Sequence, residues 1–251
     1  MEKNGKIPIL YVEVRSDLSV IPAVTQSVPL LKDWNIIGLT LSIQHVQFLE
    51  EARTILIRAG KKVLIGNKGI LSYAGQVTGC NLSNATSITN EVDAFLFVGG
   101  GRFHALGVAL ATNKPTIVAD PYENQAYTLE YEVKKIIKQR WNCIQETKNA
   151  KTYGILVGLK PGQKHLEEAI EIKAKIEKRG FIAYLLASRE ITPELLMEFP
   201  SIDAYVNTAC PRISLDNAQK FRKPVLTVTE FSVVSGESSW ESLLKKGLFE
   251  E

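Results

Sequence analysis

The sequence predicts an α/β fold: two similar three-layer α/β/α domains with mainly parallel sheets. Three observations carry that reading. Short apolar runs alternate with amphipathic stretches of helical period. The second half of the chain repeats the element order of the first. Matched letters also recur in register: V-D-A-F at 92–95 returns as I-D-A-Y at 202–205, 110 residues on, and K-P-T-I-V-A-D at 114–120 as K-P-V-L-T-V-T at 223–229, 109 on. Strands alternating with helices of this length need crossover connections, which leave parallel sheets with helices on both faces.

Taken in order, residues 7–12 (I-P-I-L-Y-V) and 36–41 (I-I-G-L-T-L) read as short buried strands. From Gln44 to Ala59 the pattern is an amphipathic helix, and Gly60, free of the Cβ that opposes a left-handed cap, stops it. Residues 62–66 (K-V-L-I-G) and 95–98 (F-L-F-V) are strands; G-G-G-R-F-H-A-L-G leads into a helix over 104–112; T-I-V-A-D at 116–120 is a strand stopped by Pro121. In the second half, 153–159 is a strand, Gln163 to Arg179 a helix stopped by Gly180, and 181–187 a strand; A-Y-V-N-T-A-C-P and P-V-L-T-V-T follow. L-E-E-A occurs in both predicted helices, at 49–52 and 166–169. Residues 121–144 read as a helical bridge, with Tyr122, Tyr127, Tyr131, Ile136, Ile137 and Trp141 as its apolar contacts. The polar stretch E-T-K-N-A-K sets the boundary, giving a first domain with its bridge over 1–147, a second over 148–232, and a polar, loosely packed tail over 233–251.

Bulk composition narrows the function classes. The chain has 251 residues, 45% apolar and 23% charged, which is ordinary for a globular protein. A net charge of +3 is too small to argue for direct binding of nucleic acid. No apolar run reaches the length of a membrane span, and M-E-K-N-G-K-I-P contains no signal-peptide core, so the expected location is the cytoplasm, without membrane. Three cysteines do not make a disulfide framework; structural, metal-binding and catalytic roles stay open.

Two cysteines sit in loops after β-like runs. Cys80 lies in G-Q-V-T-G-C-N beside Gly79, a poor place to bury a thiol for packing alone, and either a structural or a metal or catalytic role fits it. Cys210 lies in N-T-A-C-P-R, where Pro211 must end the strand, with the same two readings open. Cys143, in K-Q-R-W-N-C, falls on a predicted helix and reads as a packing residue. Gly99, Gly100 and Gly101 form a strand-to-helix loop whose amides could hold an anion, with Arg102 as a bidentate donor. That loop matches neither G-x-G-x-x-G nor the G-K-[ST] pattern of a phosphate loop. By the repeat, Arg102 and Arg212 hold equivalent positions. His104 reads as a ligand contact or a cap, Asp120 as a helix N-cap, and His45 and His165 as solvated residues at helix starts. Two thiolates alone complete neither a tetrahedral zinc site nor a cluster.

A-G-Q-V-T-G-C-N, F-V-G-G-G-R-F-H-A-L-G-V-A-L-A-T, D-P-Y, K-Q-R-W and V-N-T-A-C-P-R, in this order from about residue 7 to about 232, together resemble the archaeal-type 2-(3-amino-3-carboxypropyl)histidine synthases of diphthamide biosynthesis. The resemblance implies three similar α/β domains, each giving one cysteine to a [4Fe-4S] cluster. It implies transfer of the 3-amino-3-carboxypropyl group of S-adenosylmethionine, by a radical mechanism, to a histidine of translation elongation factor 2, with an external electron donor and methylthioadenosine as by-product. Carried over, Cys80 and Cys210 are metal ligands, with no catalytic residue beyond them, and Gly99, Gly100, Gly101, Arg102, His104, Arg212 and Gln76 contact S-adenosylmethionine or the cluster's charge. The family's first domain and its cysteine have no counterpart in these motifs, so the expectation is a shortened version of a three-domain chain, with an exposed face that favours a homo-oligomer or partner. A non-catalytic or partner-dependent binding module of the same fold is the alternative. A nucleotide or sugar-nucleotide enzyme using only the glycine loop is a third reading.

Overall fold

The computed structural model describes residues 3–4, 7–8, 10–216 and 218–249. They divide into two compact units, one running to Glu130 and one beginning at Tyr131. The first unit contains β1 (Lys3–Asn4) and β2 (Ile7–Pro8), α1 (Ile21–Leu30), β3 (Ile36–Leu41), α2 (Leu49–Arg58), β4 (Lys62–Leu64), α3 (Ser83–Thr86), β5 (Ala94–Val98), α4 (Phe103–Thr112), β6 (Thr116–Asp120) and β7 (Gln125–Thr128). The second contains all but the first residue of α5 (Glu130–Thr147), then β8 (Thr152–Gly158), α6 (Leu166–Lys178), β9 (Ile182–Ser188), α7 (Pro193–Met197), β10 (Ala204–Asn207), α8 (Pro211–Asp216), β11 (Val225–Thr227), α9 (Val228–Ser235) and α10 (Trp240–Lys246).

The strand orders are β4-β3-β5-β6-β7 and β9-β8-β10-β11. All pairings in these two sheets are parallel except β6 with β7. Read strand for strand, β4-β3-β5-β6 and β9-β8-β10-β11 are the same arrangement, which is the predicted duplication. The central strands of each sheet are buried on both faces. In the first unit Ile37, Leu39, Ala94, Leu96 and Ile117 pack in one core with residues of α1 and α2. The alternate residues Phe95, Phe97 and Val118 are also fully buried, on the side that α4 covers. In the second unit Ile155, Val157 and Val206 face α6 and α9, while Leu156, Tyr205 and Val225 face α7.

The repeated letters now have physical reasons. Asp93 accepts the amides of Asn35 and Ile36, and Asp203 those of Lys151 and Thr152, so each carboxylate caps the start of the neighbouring strand. Phe95 and Tyr205 each lie over a glycine of the next strand: a Cβ on Gly38 would meet the Phe95 ring at 2.4 Å, and one on Gly154 the Tyr205 ring at 2.7 Å. L-E-E-A opens both α2 and α6, with two glutamates at the positive end of each helix dipole. Gly60 and Gly180 follow these helices at φ +80° and +82°.

Four expectations need correction. Only Ile7–Pro8 of the expected strand 7–12 pairs, with Lys3–Asn4; residues 10–12 are irregular and exposed because neither main sheet offers them a neighbour, and residue 9 lies outside the described residues. Within the expected helical bridge 121–144, residues 125–128 form a strand antiparallel to β6, and the helix starts only at Glu130. The helix expected from Gln44 opens as a 3₁₀ turn, Ile43–Phe48, before α2. The stretch expected as a loose tail carries α10, capped by Ser239, and buries Leu243, Leu248 and Phe249. Apolar residues spaced through a Ser/Glu/Lys-rich stretch had hidden that packing.

Candidate functional site

The carboxyl ends of β3, β5 and β6 form one rim of the first unit, the edge where open α/β sheets take ligands. The glycine loop leaves β5 here. It is tied to β6 at two amides: Gly99 N–H donates to the Ala119 carbonyl at 3.1 Å, and Gly101 N–H to one carboxylate oxygen of Asp120, the last residue of β6, at 2.7 Å, while the other Asp120 oxygen accepts the amides of Tyr122 and Glu123. Asp120 is buried and joins loop to loop, where the sequence suggested a helix cap. The loop must be glycine where it packs hardest. A Cβ on Gly99 would come within 2.7 Å of Phe97 and 2.9 Å of Ser42 Oγ, and one on Gly100 within 2.8 Å of the Tyr122 ring. Gly101, at φ +72°, takes a left-handed turn that side chains resist. Arg102 follows, exposed, with its guanidinium carbon 4.7 Å from the centre of the Tyr127 ring. His104, partly buried, stacks on Phe97 at 5.8 Å and meets Phe103 edge-on at 5.2 Å.

The Cys80 loop is seated on the same rim. Leu41 and Gln76 form a parallel bridge at the end of β3, which brings residues 75–77 alongside the sheet. Gln76 Oε1 accepts the amides of Ser72 and Tyr73, and Asn84 Nδ2 donates to the Gln76 carbonyl, so this expected substrate contact also braces its own loop. Thr78 and Asn81 close a tight turn around Cys80. Gly79 lies against Phe103, where a Cβ would clash at 2.4 Å; the cysteine loop and the helix that follows the glycine loop therefore touch. Cys80 itself is exposed, its Sγ 3.9 Å from Thr78 Oγ1.

In the second unit Cys210 is three residues beyond the end of β10 and half-buried. Buried Asn207 shapes that turn: its Nδ2 donates to the Cys210 carbonyl at 2.8 Å and its Oδ1 accepts Ala209 N–H at 3.0 Å. Arg212 is buried, bonded through Nε to Asp216 at 2.9 Å and 5.8 Å from the Phe249 ring centre. Burial outweighs the Asp216 charge, so the guanidinium lies below its ordinary pKa while burial pushes Asp216 up. The sequence-equivalent Arg102 and Arg212 thus sit in different surroundings. A cavity of about 160 Å³ in this unit, lined by Leu196, Phe199, Tyr205, Phe221 and Arg222, lies toward the other end of β10 from Cys210.

Cys143 is tied to a structural cluster. Arg140 is fully buried and donates to both carboxylate oxygens of Glu230, to the Ser214 and Val225 carbonyls, and to Cys143 Sγ at 3.6 Å. Burial raises the Cys143 pKa, which keeps the thiol protonated and a poor metal ligand. Among the described residues, no group of three or more His, Cys, Asp or Glu side chains could hold a metal ion. The loop thiols Cys80 and Cys210 are soft donors of the type that suits iron–sulfur clusters.

His45, expected to be solvated, is instead fully buried. It lies in the 3₁₀ turn after β3, edge-on to Tyr122 with ring centres 5.4 Å apart. Both its ring nitrogens and the neighbouring Ser42 Oγ have no hydrogen-bond partner. Buried groups left in that state cost roughly 1–3 kcal/mol each. The sequence signal was Ser42 and His45 placed directly after a strand ending on the ligand rim, but a histidine near the start of an amphipathic pattern reads equally as surface.

Residues 1–244 match the family described as "Putative diphthamide synthesis protein". The chain belongs to the diphthamide synthesis protein family. It is 36% identical to 2-(3-amino-3-carboxypropyl)histidine synthase of Pyrococcus horikoshii over 92% of this chain and 66% of that protein. It is 31% identical to subunit 1 of the human synthase, over 82% of this chain and 46% of the relative. The crystal structure of Dph2 from P. horikoshii with a 4Fe-4S cluster superimposes with a TM-score of 0.79 and 35% identity, covering 90% of this chain and 64% of that one. The chain therefore spans about two thirds or less of the length of these relatives. No helix among the described residues is long and apolar enough to cross a membrane.

Proposed function

We propose that this chain acts in the first step of diphthamide synthesis, transferring the 3-amino-3-carboxypropyl group of S-adenosylmethionine to a histidine of translation elongation factor 2 by a radical mechanism. The observation that carries the reading is the seating of Cys80 against the glycine-loop helix through Gly79 and Phe103, in a member of a family that includes a relative with a 4Fe-4S cluster. Cys80 and Cys210 would hold the cluster, with further ligation from outside the described residues. When bound, such a cluster supplies the electron that opens a carbon–sulfur bond of the sulfonium, with an external donor restoring it.

The chain's own residues bind and orient. The loop of Gly99, Gly100 and Gly101 lines the approach to the substrate; Asp120 holds the Gly101 amide and the Ala119 carbonyl the Gly99 amide, so the loop is fixed and little rearrangement is needed on binding. Exposed Arg102 suits the substrate carboxylate. His104 lies beside Phe97 at the start of α4, and Gln76 keeps the Cys80 loop in place. Arg212, two residues beyond Cys210 and held by Asp216, brings positive charge close to the proposed cluster ligand. Elongation factor 2 is the protein substrate, and a second copy of this chain is the expected oligomeric partner.

Anaerobic reconstitution with iron and sulfide tests this directly. The expected result is a brown protein that forms methylthioadenosine from S-adenosylmethionine after dithionite, with iron uptake lost in Cys80→Ala and in Cys210→Ala. Parent-like iron content in both variants would remove the ligand assignment. The partial span of its relatives favours a second reading, a partner-dependent binding module. That reading predicts a colourless protein that still co-elutes with elongation factor 2.

A further inference from the structure

Ser42 Oγ and both ring nitrogens of His45 are buried without a hydrogen-bond partner. Ser42 directly follows β3 and His45 lies one 3₁₀ turn further on, on the rim that carries the glycine loop. Two walls enclose them. The first is the loop itself, whose Gly99 passes so close that a Cβ would sit 2.9 Å from Ser42 Oγ. The second is the Tyr122 ring, wedged between Gly100 and the edge of His45. Tyr122 is 50% exposed, so the ring that covers His45 itself borders solvent.

The chemistry of the unmet atoms narrows what would satisfy them. Burial holds His45 below its ordinary pKa, although the Asp120 charge works the other way. The imidazole is therefore neutral, with one nitrogen a donor and the other an acceptor, and the serine hydroxyl is both. The negative charge of Asp120, whose oxygens already hold three amides, opposes a second anion at this spot. The complementary group is neutral, donates and accepts, and belongs to a molecule that can lie against an aromatic ring.

We infer that Ser42 and His45 form a buried subsite, covered by Tyr122, for the ribose hydroxyls of a nucleoside. The inference rests on the proposed use of S-adenosylmethionine and assigns its ribose to these two side chains.

Calorimetric titration of the full, iron-free chain with adenosine and with 2′,3′-dideoxyadenosine tests it without cluster or turnover. The parent should prefer adenosine by about tenfold, the value of one or two net hydrogen bonds. Ser42→Ala and His45→Phe should each lose most of that preference, while Tyr122→Ala should weaken both nucleosides alike; thermal melts establish that each variant is folded. Equal affinity of the parent for the two nucleosides, or no binding of either, overturns the subsite and leaves ordered water as the partner of these atoms. An undiminished preference in both folded Ser42→Ala and His45→Phe overturns it as well. A tenfold preference in a protein that takes up no iron would instead sink the transferase reading and leave the subsite standing.

Discussion

Arg140 and Glu230 show how a motif can look functional and be structural. K-Q-R-W belongs to the stretch that resembles the synthases, yet Arg140 is fully buried and all of its bonds go to protein atoms of its own unit. Burial works against the charge on Arg140, and the Glu230 carboxylate with its hydrogen bonds more than offsets this, so the guanidinium sits above its ordinary pKa. Glu230 has a second task in the capping box that starts α9 with Thr227. Removing one partner of such a pair leaves the other charge buried alone. Arg140→Met should cost about 3–5 kcal/mol in urea unfolding. A loss below about 1 kcal/mol, typical of surface pairs, would show that the pair is hydrated in solution. The same scale explains what the sequence hid at His45: burial depends on which loops cover a residue, and the covering Tyr122 is 77 positions away.

Elements were more legible than residues. Strand and helix order followed from alternating apolar runs, and the duplication was readable because the repeated letters have repeated jobs: Asp93 and Asp203 cap strands, and Phe95 and Tyr205 fill the space left by glycines. The antiparallel β7 was missed because Gln125–Thr128 has no apolar alternation of its own; pairing with β6 defines it. The glycine-to-aromatic pairing gives a quantitative test. Gly38→Ala places a methyl at 2.4 Å from a ring atom of buried Phe95 and should cost about 1–3 kcal/mol. Phe95→Leu vacates that space. In a double-mutant cycle Gly38→Ala and Phe95→Leu should therefore couple favourably, the double variant being less destabilised than the sum of the singles by at least about 0.5 kcal/mol. Strict additivity would mean that the strand backbone shifts to accept the methyl and the ring contact does not fix residue 38 as glycine.

Across the whole molecule, the strand-capping aspartates make the duplication an electrostatic property. The amide of Ile36, then that of Asn35, hold the Asp93 carboxyl below its usual range, with help from the charge of Lys114. The amides of Lys151 and Thr152 do the same for Asp203, beside Lys223 and Lys151. A carboxylate with a lowered folded-state pKa contributes stability that is fully present above its unfolded value of about 3.9 and is lost as pH falls through the lower folded value. Each sheet therefore carries one such group, at the start of its central strands, and both should fail together in acid. Asn at either position keeps an oxygen acceptor for the amides and has no proton to take up. The double variant Asp93→Asn with Asp203→Asn should start with a lower Tm at neutral pH, and its Tm should fall less steeply than that of the parent between about pH 5 and pH 3. Each single variant should lie between the two curves, because the two carboxylates cap different sheets and their protonation is not linked. Parallel curves for parent and double variant would assign the acid sensitivity to other carboxylates and reduce these two to neutral hydrogen-bond acceptors.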